Sequence, residues 1–203
     1  MTVPKENEPQ RPKNDHTTHR MSSGRGFRRY FDKGSINQNR KEYYTFNDKD
    51  YVRYFFNDKT GGYVVARKGH GTEELENNLS TALILANNGD RIVLQKRSKQ
   101  KSFDALRNGE SAEFKMILDV KGVDISNAIQ NHFRRGIGQS PDIVIHINQK
   151  MKIDSLIDGL KHAIANDDKQ YYKNITIINK RGDVAEFTAD EARNGNFIKR
   201  LKK

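Results

Sequence analysis

Runs of β-forming residues alternate with segments of helical spacing from Tyr51 to about residue 179. Two short apolar runs begin at Tyr51 and Tyr63, and the turn-rich stretch 57–62 between them predicts a hairpin. Leucine and alanine then recur at helical spacing between Thr72, which is a suitable N-cap, and Gly89, which is a suitable stop. We therefore expect a helix at 72–88.

The rest of the chain continues this alternation. The predicted elements are a strand at 91–95, a hairpin turning at 108–109, a helix at 124–135, a strand at 142–147, a helix at 153–166 and a strand at 174–179. Such an order favours an α/β fold in which helices cover both faces of a mixed central sheet.

The first 45 residues have a different composition. They hold three of the four prolines and few aliphatic side chains, so they are predicted to form a disordered basic arm before a single domain at 46–203. Ten Lys and Arg against five Asp and Glu give the arm a charge of +5. It is either a nonspecific phosphate-binding tail or a solvated linker.

Composition narrows the function classes. The chain has no cysteine, which excludes disulfides, thiolate metal sites and cysteine nucleophiles. A net charge of +11 favours a polyanionic partner, either nucleic acid or an anionic membrane surface. No apolar run is long enough to span a bilayer and the N-terminus lacks a secretory signal, so we expect a soluble chain that the general export route does not handle.

The hairpin turning at 108–109 carries the candidate chemistry. A two-residue turn places Asp104 opposite Glu113 across the ladder, and Lys115 points to the same face as Glu113. Facing carboxylates destabilise a sheet unless a cation lies between them. Two carboxylates and a lysine could hold Mg²⁺ and attack a phosphodiester, whereas the alternative is a surface hairpin with incidental charges.

Several stretches in order along the chain carry a family resemblance. They are TGGYVV at 60–65, LANNG at 85–89 before IVL at 92–94, FD at 103–104 with AEFK at 112–115, and AI at 128–129 leading to Gln139 before IVI at 143–145. With them, the region 63–178 resembles the C-terminal tRNase domain of contact-dependent growth inhibition toxins of the CdiA type. That family belongs to the PD-(D/E)XK, restriction-endonuclease-like superfamily.

The resemblance implies a fold, a reaction and a site. The fold would be restriction-endonuclease-like and the activity a metal-dependent tRNase, with Asp104 and Glu113 as ligands of Mg²⁺, or of Mn²⁺ or Zn²⁺. Lys115 and Gln139 would be the other catalytic residues. Phe103 stands where the family has proline, a change that spares the ligands.

A helix glutamate often completes the metal shell of this family. We assign it to Glu76, with Glu73 one turn earlier as the alternative. Nucleic acid would be bound by basic residues beside the site, namely Lys96, Arg97, Arg134 and Arg135. An acidic immunity protein is the expected protein partner, and the domain would act in the cytoplasm after delivery by a toxin system.

Three other functions compete with this one. The same fold also serves DNA endonucleases, and fold does not decide substrate. A metal-independent ribonuclease would use a pair among His70, His132, His146 and His162, although His146 is expected to point outward from its strand. A non-catalytic nucleic-acid-binding module is the third alternative.

Overall fold

In the computed structural model, residues 19–20, 30–70, 72–96, 102–118, 122 and 124–201 are described. The strands are β1 (His19–Arg20), β2 (Tyr30–Phe31), β3 (Tyr51–Phe56), β4 (Tyr63–Arg67), β5 (Arg91–Leu94), β6 (Ala105–Arg107), β7 (Glu110–Ile117), β8 (Asp142–Ile147), β9 (Asn174–Ile178) and β10 (Val184–Thr188). The helices are α1 (Lys33–Thr45), α2 (Thr72–Asn87), α3 (Ile125–Gly136), α4 (Ile153–Ala165), α5 (Ala189–Arg193) and α6 (Phe197–Leu201).

Eight strands form one mixed sheet in the order β10-β9-β8-β7-β6-β5-β4-β3. The pairs β4–β5, β7–β8 and β8–β9 are parallel, and the other neighbours are antiparallel. The predicted α/β class is confirmed, and the elements expected between residues 51 and 179 are all present. The parallel pairs account for the helices, because a parallel connection needs a long crossover.

Helices cover both faces of this sheet. On one face, α2 packs on Val64, Ile92, Ala112, Phe114 and Val144. On the other, which we call the α3 face, α3 and α4 pack on alternate residues of the neighbouring strands, among them Ile143, Ile145, Ile175 and Ile177. Helices on both faces bury both sets of alternating side chains of the central strands.

Helix α1 corrects the predicted arm. Asp32 caps it by accepting a hydrogen bond from the backbone N–H of Ser35 at 2.9 Å, and Ile36 and Tyr43 are buried. Residues 33–45 are therefore part of the packed domain, and the predicted boundary at residue 45 is wrong there. Sequence reasoning missed this helix because its apolar side chains are few and mostly aromatic. The segments 1–18 and 21–29 lie outside the described residues.

The C-terminal part adds β10, α5 and α6, none of which was predicted. A capping box starts α5: the Thr188 hydroxyl accepts from the Glu191 N–H at 3.1 Å, and the Glu191 carboxylate accepts from the Thr188 N–H at 2.9 Å. Together with β10, helices α5 and α6 lie beside a buried network of ion pairs and hydrogen bonds that joins β6 to β9 and β10. Its centre is Arg107, which bonds to Asp90, Thr176 and Glu186.

Part of the α3 face is covered by neither α1 nor α3, and we call this part the open cleft. Helix α1 covers this face over β3 and β4, where Tyr43 contacts Tyr63 and Val65, while α3 covers it over β7 and β8. Between the two helices the side chains of Val93, Leu106, Ser111 and Lys115 are only half-buried. No helix in the described part of the chain is long and apolar enough to cross a membrane.

Candidate functional site

The hairpin of β6 and β7 forms the floor of the open cleft with the predicted register. Asn108 and Gly109 both have positive φ, at 54° and 94°, as a two-residue turn of the primed type requires. Ala105 pairs with Ala112 and Arg107 with Glu110. The register therefore brings Asp104, immediately before β6, next to Glu113 on β7.

Asp104 is held by the backbone of the opposite strand. Its Oδ2 accepts a hydrogen bond from the Phe114 N–H at 2.9 Å. Burial raises the pKa of Asp104, while the Phe114 N–H and the Lys115 ammonium oppose the shift. The negative charge of Glu74 adds to the rise. Asp104 thus lies in a site where a further positive charge would be favourable.

Glu113 is the most deeply buried of the predicted catalytic residues. Its side chain is 1% exposed, and its Oε1 accepts from the Lys115 Nζ. Its Oε2 is buried and has no hydrogen-bond partner among the described residues. Burial and then the charge of Asp104 raise the pKa of Glu113 to about 8, against the opposing effect of Lys115.

The two carboxylates fit a divalent cation. Oxygen is the ligand that Mg²⁺ prefers, and such an ion is often held by one or two carboxylates together with water and substrate phosphates. The Oε2 of Glu113, which has no hydrogen-bond partner among the described residues, is available as a ligand. Within the described ranges, no group of three Asp, Glu or His side chains could hold a metal on its own.

The first turns of α2 carry the predicted helix glutamate, Glu76, and a second candidate, Glu74. Glu76 is exposed, and it does not join the carboxylate pair. Glu74 is half-buried and close enough for its charge to raise the pKa of Asp104. Residues two apart on a helix point to nearly opposite sides, so Glu74 and Glu76 cannot both face the site. The side chain of Glu73 lies outside the described residues.

Lys115 lies between the carboxylates and α3. Burial, followed by the positive charges of Lys115 and Arg135, lowers the pKa of His132 to about 4. The Nδ1 of His132 is buried without a hydrogen-bond partner among the described residues. His132 was expected from the sequence only as half of a possible catalytic pair, and the structure places it near Lys115 with no second histidine in contact among the described residues.

The predicted basic residues are distributed around α3 and β5. Arg135 is close enough to His132 for its charge to lower the pKa of that histidine, and Arg134 lines a cavity on another side of α3. Lys96 lies against Gly69 just after β5. Arg97 lies outside the described residues.

Gln139 lies in the turn after α3. Its Nε2 donates to the Arg135 carbonyl at 3.1 Å, and its N–H donates to the Gly136 carbonyl at 3.0 Å. No described contact joins it to the carboxylates. Tyr171, which was not predicted, is close enough that the charge of Glu113 raises its pKa, in addition to the larger effect of burial. Its position in the loop before β9 gave no sequence signal.

The remaining histidines have structural surroundings. His146 is buried against α2, where its ring nitrogen Nδ1 is 3.1 Å from the Thr81 hydroxyl, so the expected outward orientation is wrong. The reason is that α2 covers the second face of β8. His70 contacts Asn78 and the Gln95 carbonyl, and His162 is exposed beside Asp158. No described contact brings two histidines together.

Fold and site define an α/β domain that carries an acidic pair and a lysine on its central hairpin. Residues 101–184 match the family "Contact-dependent growth inhibition CdiA C-terminal domain". Over residues 101–184 this match agrees with the resemblance seen in the sequence to the C-terminal toxin domains of the CdiA family.

The comparisons with curated proteins and with solved structures gave different results. A search among curated proteins found no match. Among solved structures, the chain is similar to "CdiA-CT/CdiI toxin and immunity complex from Burkholderia pseudomallei", with 19% identity and a TM-score of 0.40. That similarity covers 58% of this chain and 86% of the other chain.

Proposed function

We propose that this domain is a metal-dependent nuclease of the PD-(D/E)XK type that hydrolyses phosphodiester bonds, with tRNA as its substrate. The observation that carries the proposal is the pair of half-buried Asp104 and buried Glu113 beside Lys115, in which one Glu113 oxygen has no partner among the described residues. Two carboxylates with raised pKa values, close together in a cleft, are typical of a functional site.

Each residue of the site has a separate role. Asp104 and Glu113 would hold the cation, which would be Mg²⁺ or, alternatively, Mn²⁺ or Zn²⁺. Such an ion polarises a phosphate and lowers the pKa of a bound water. Lys115 now bonds to Glu113, and its ammonium would turn toward the scissile phosphate and stabilise charge developing on it.

The surroundings of the pair support a nucleic acid substrate. The charges of Lys115 and Arg135 both act on His132 beside the pair, and the whole chain carries a net charge of +11. Phosphate contacts of this kind provide affinity without sequence specificity. The assignment to tRNA comes from the family resemblance, and DNA is the competing substrate. Because of the net positive charge, an acidic immunity protein is the partner that we propose.

The decisive experiment is cleavage of tRNA and of plasmid DNA with and without EDTA. Wild-type protein should cleave tRNA only with a divalent cation, and Asp104→Asn should abolish cleavage. Asp168→Asn is the matched control, because Asp168 is exposed and far along the chain from the hairpin. Cleavage that survives EDTA and Asp104→Asn but is lost in His132→Ala would replace the proposal by a histidine ribonuclease.

A further inference from the structure

A second cavity lies between the C-terminal ends of α3 and α4. Its volume is about 250 Å³, and its lining includes Gln130, Asn131, Arg134 and Asn166. Gln130 and Arg134 are each two residues from His132 on the helix, so they point away from the catalytic cleft. The cavity is therefore a separate site on the far side of α3.

The inner wall of the cavity is aromatic and rigid. Phe133 and Tyr172 are each 2% exposed, and their ring centroids are 4.9 Å apart in an edge-to-face arrangement. The Tyr172 hydroxyl donates to the Phe133 carbonyl. Gly136 makes this packing possible, because a Cβ there would be 2.7 Å from the Tyr172 hydroxyl oxygen. Ile137 also lines the cavity and is 39% exposed.

The polar lining offers unused donors and acceptors. Within the described part of the chain, Gln130 bonds only through its Nε2, which donates to the Ser126 hydroxyl at 3.3 Å, and Asn131 only through its Oδ1, which accepts from Arg134 at 2.9 Å. The side-chain amide of Asn166 makes no hydrogen bond to any described residue. Asp167 is buried, but its carboxylate is occupied by the N–H groups of Tyr171 and Tyr172 and by Arg193.

This combination matches an unpaired nucleobase. A base has a flat apolar face and an edge of alternating donors and acceptors, and proteins read unpaired bases with side-chain amides and aromatic or apolar walls. Arg134 supplies a cation for the adjoining phosphate. We propose that the cavity binds one unpaired nucleobase of the RNA substrate. This inference rests on the proposed nuclease function and adds a site that selects substrates with an unpaired nucleotide.

The two arginines at the end of α3 connect the cavity to the cleft. Arg135 lies near His132, whose other charged neighbour is Lys115, and Arg134 lines the cavity, so a strand crossing the end of α3 would meet one cation on each side. Tyr171 lies on the same path, since it is influenced by Glu113 and follows Asp167 in the loop beneath the cavity. A base held in the cavity would fix how far along the strand cleavage occurs.

The test measures binding separately from cleavage. In full-length protein carrying Lys115→Met, affinity is measured by fluorescence anisotropy for tRNA, single-stranded RNA, single-stranded DNA and duplex RNA. The double variant Gln130→Ala with Asn166→Ala should weaken binding to single-stranded RNA and tRNA about tenfold, because two hydrogen bonds to the base are lost. Asn148→Ala, which changes an exposed amide outside the cavity, is the control.

Arg134→Met should weaken binding of single-stranded RNA and tRNA as well. Its control, Lys161→Met, should leave that binding unchanged.

Duplex RNA provides the discrimination, because a paired base cannot enter the cavity. If the cavity substitutions lower the affinity for unpaired RNA and leave the affinity for duplex RNA unchanged, the proposed site is supported. An equal loss of affinity for single-stranded DNA would show that the cavity recognises the base and not the sugar. Equal losses of affinity for duplex and unpaired RNA, or no loss of affinity for either, would overturn the proposed base-binding site. If wild-type protein fails to cleave tRNA, the nuclease proposal fails, while the binding comparison still decides the cavity.

Discussion

The carboxylate of Asp104 accepts a hydrogen bond from the backbone N–H of Phe114 at 2.9 Å, which ties the start of β6 to the strand that carries Glu113 and Lys115. The bond uses one oxygen of Asp104. An asparagine at this position keeps an oxygen acceptor for that N–H but removes the negative charge. Structure and charge at this position can therefore be separated by a single substitution.

We expect Asp104→Asn to fold and to lose its response to metal. Wild-type protein should gain ~2.7 kcal/mol of stability at a hundredfold excess of Mg²⁺ over its dissociation constant, since the ion binds the folded state. The variant should show little of this gain. Thermal unfolding with and without Mg²⁺ measures both, and equal shifts in the two proteins would place the metal elsewhere.

Lys115→Met separates catalysis from binding. The change keeps the length of the side chain and removes its charge, so affinity for tRNA should fall only modestly, because one phosphate contact among many is lost. The single-turnover cleavage rate should fall by at least ~10²-fold, because a group that stabilises transition-state charge has gone. Lys161→Met, on an exposed face of α4, serves as the control. Wild-type rates in a folded Lys115→Met protein would exclude this lysine from the chemistry.

Metal binding should strengthen as pH rises. Glu113 has a pKa of about 8 in the metal-free domain against an ordinary 4.5, so it keeps a proton that the cation must displace. The apparent Mg²⁺ affinity should rise up to ~10-fold per pH unit between pH 6 and 8. Over the range 4.5 to 8 the metal-free domain should become less stable as pH rises, because the unfolded chain has already released this proton. Calorimetry at several pH values measures the affinity, and a flat profile would contradict the raised pKa.

Two N-terminal truncations distinguish the segment before α1 from α1 itself. Deleting residues 1–29 removes seven Lys and Arg and three Asp and Glu, so the salt dependence of nucleic acid binding should become shallower while stability is kept. Deleting residues 1–45 also removes Ile36, Tyr43 and the 2.6 Å ion pair of Glu42 with Arg91. It should cost at least ~3 kcal/mol of stability. Equal stability of the two truncated proteins, by urea unfolding, would show that α1 does not support the domain.

Arg107 is expected to be the most sensitive charged residue for stability. It is 7% exposed and pairs with Asp90, which is 1% exposed, and with Glu186. Arg107→Met would remove the guanidinium that these buried carboxylates share and should destabilise the domain by ~3 to 5 kcal/mol. Arg181→Met, which removes an arginine that is 82% exposed and pairs with Asp183, should change stability by less than ~1 kcal/mol. A comparable loss of stability in both variants would contradict the expectation that Arg107 is the more sensitive residue.

The parts of the fold that sequence predicted are those with strong local signals. Asn108 and Gly109 fixed the hairpin register, and with it the approach of Asp104 to Glu113. The pattern of Ile143, Ile145 and Ile147 fixed β8 but not its second face, because period-two alternation does not show that α2 lies above His146. Burial by a distant element has no local signature.

The same limit explains the site residues that were missed. Glu74 and Glu76 both lie in the first turns of α2, and only the packing of that helix decides which one approaches Asp104. Tyr171 reaches the neighbourhood of Glu113 from a loop 58 positions away. Long-range placement of this kind needs the assembled sheet.

The hairpin that brings Asp104 and Glu113 together is short and local, whereas the helices that bury the pair come from other parts of the chain. Before those helices dock, the two carboxylates are exposed to water and should ionise as ordinary side chains. Two properties of Glu113 arise only when the helices pack around the hairpin. They are its raised pKa and the lack of a hydrogen-bond partner for its buried Oε2 among the described residues. Nuclease chemistry would therefore be absent from a partly folded chain, and its appearance during refolding would report the last long-range step rather than the first turn.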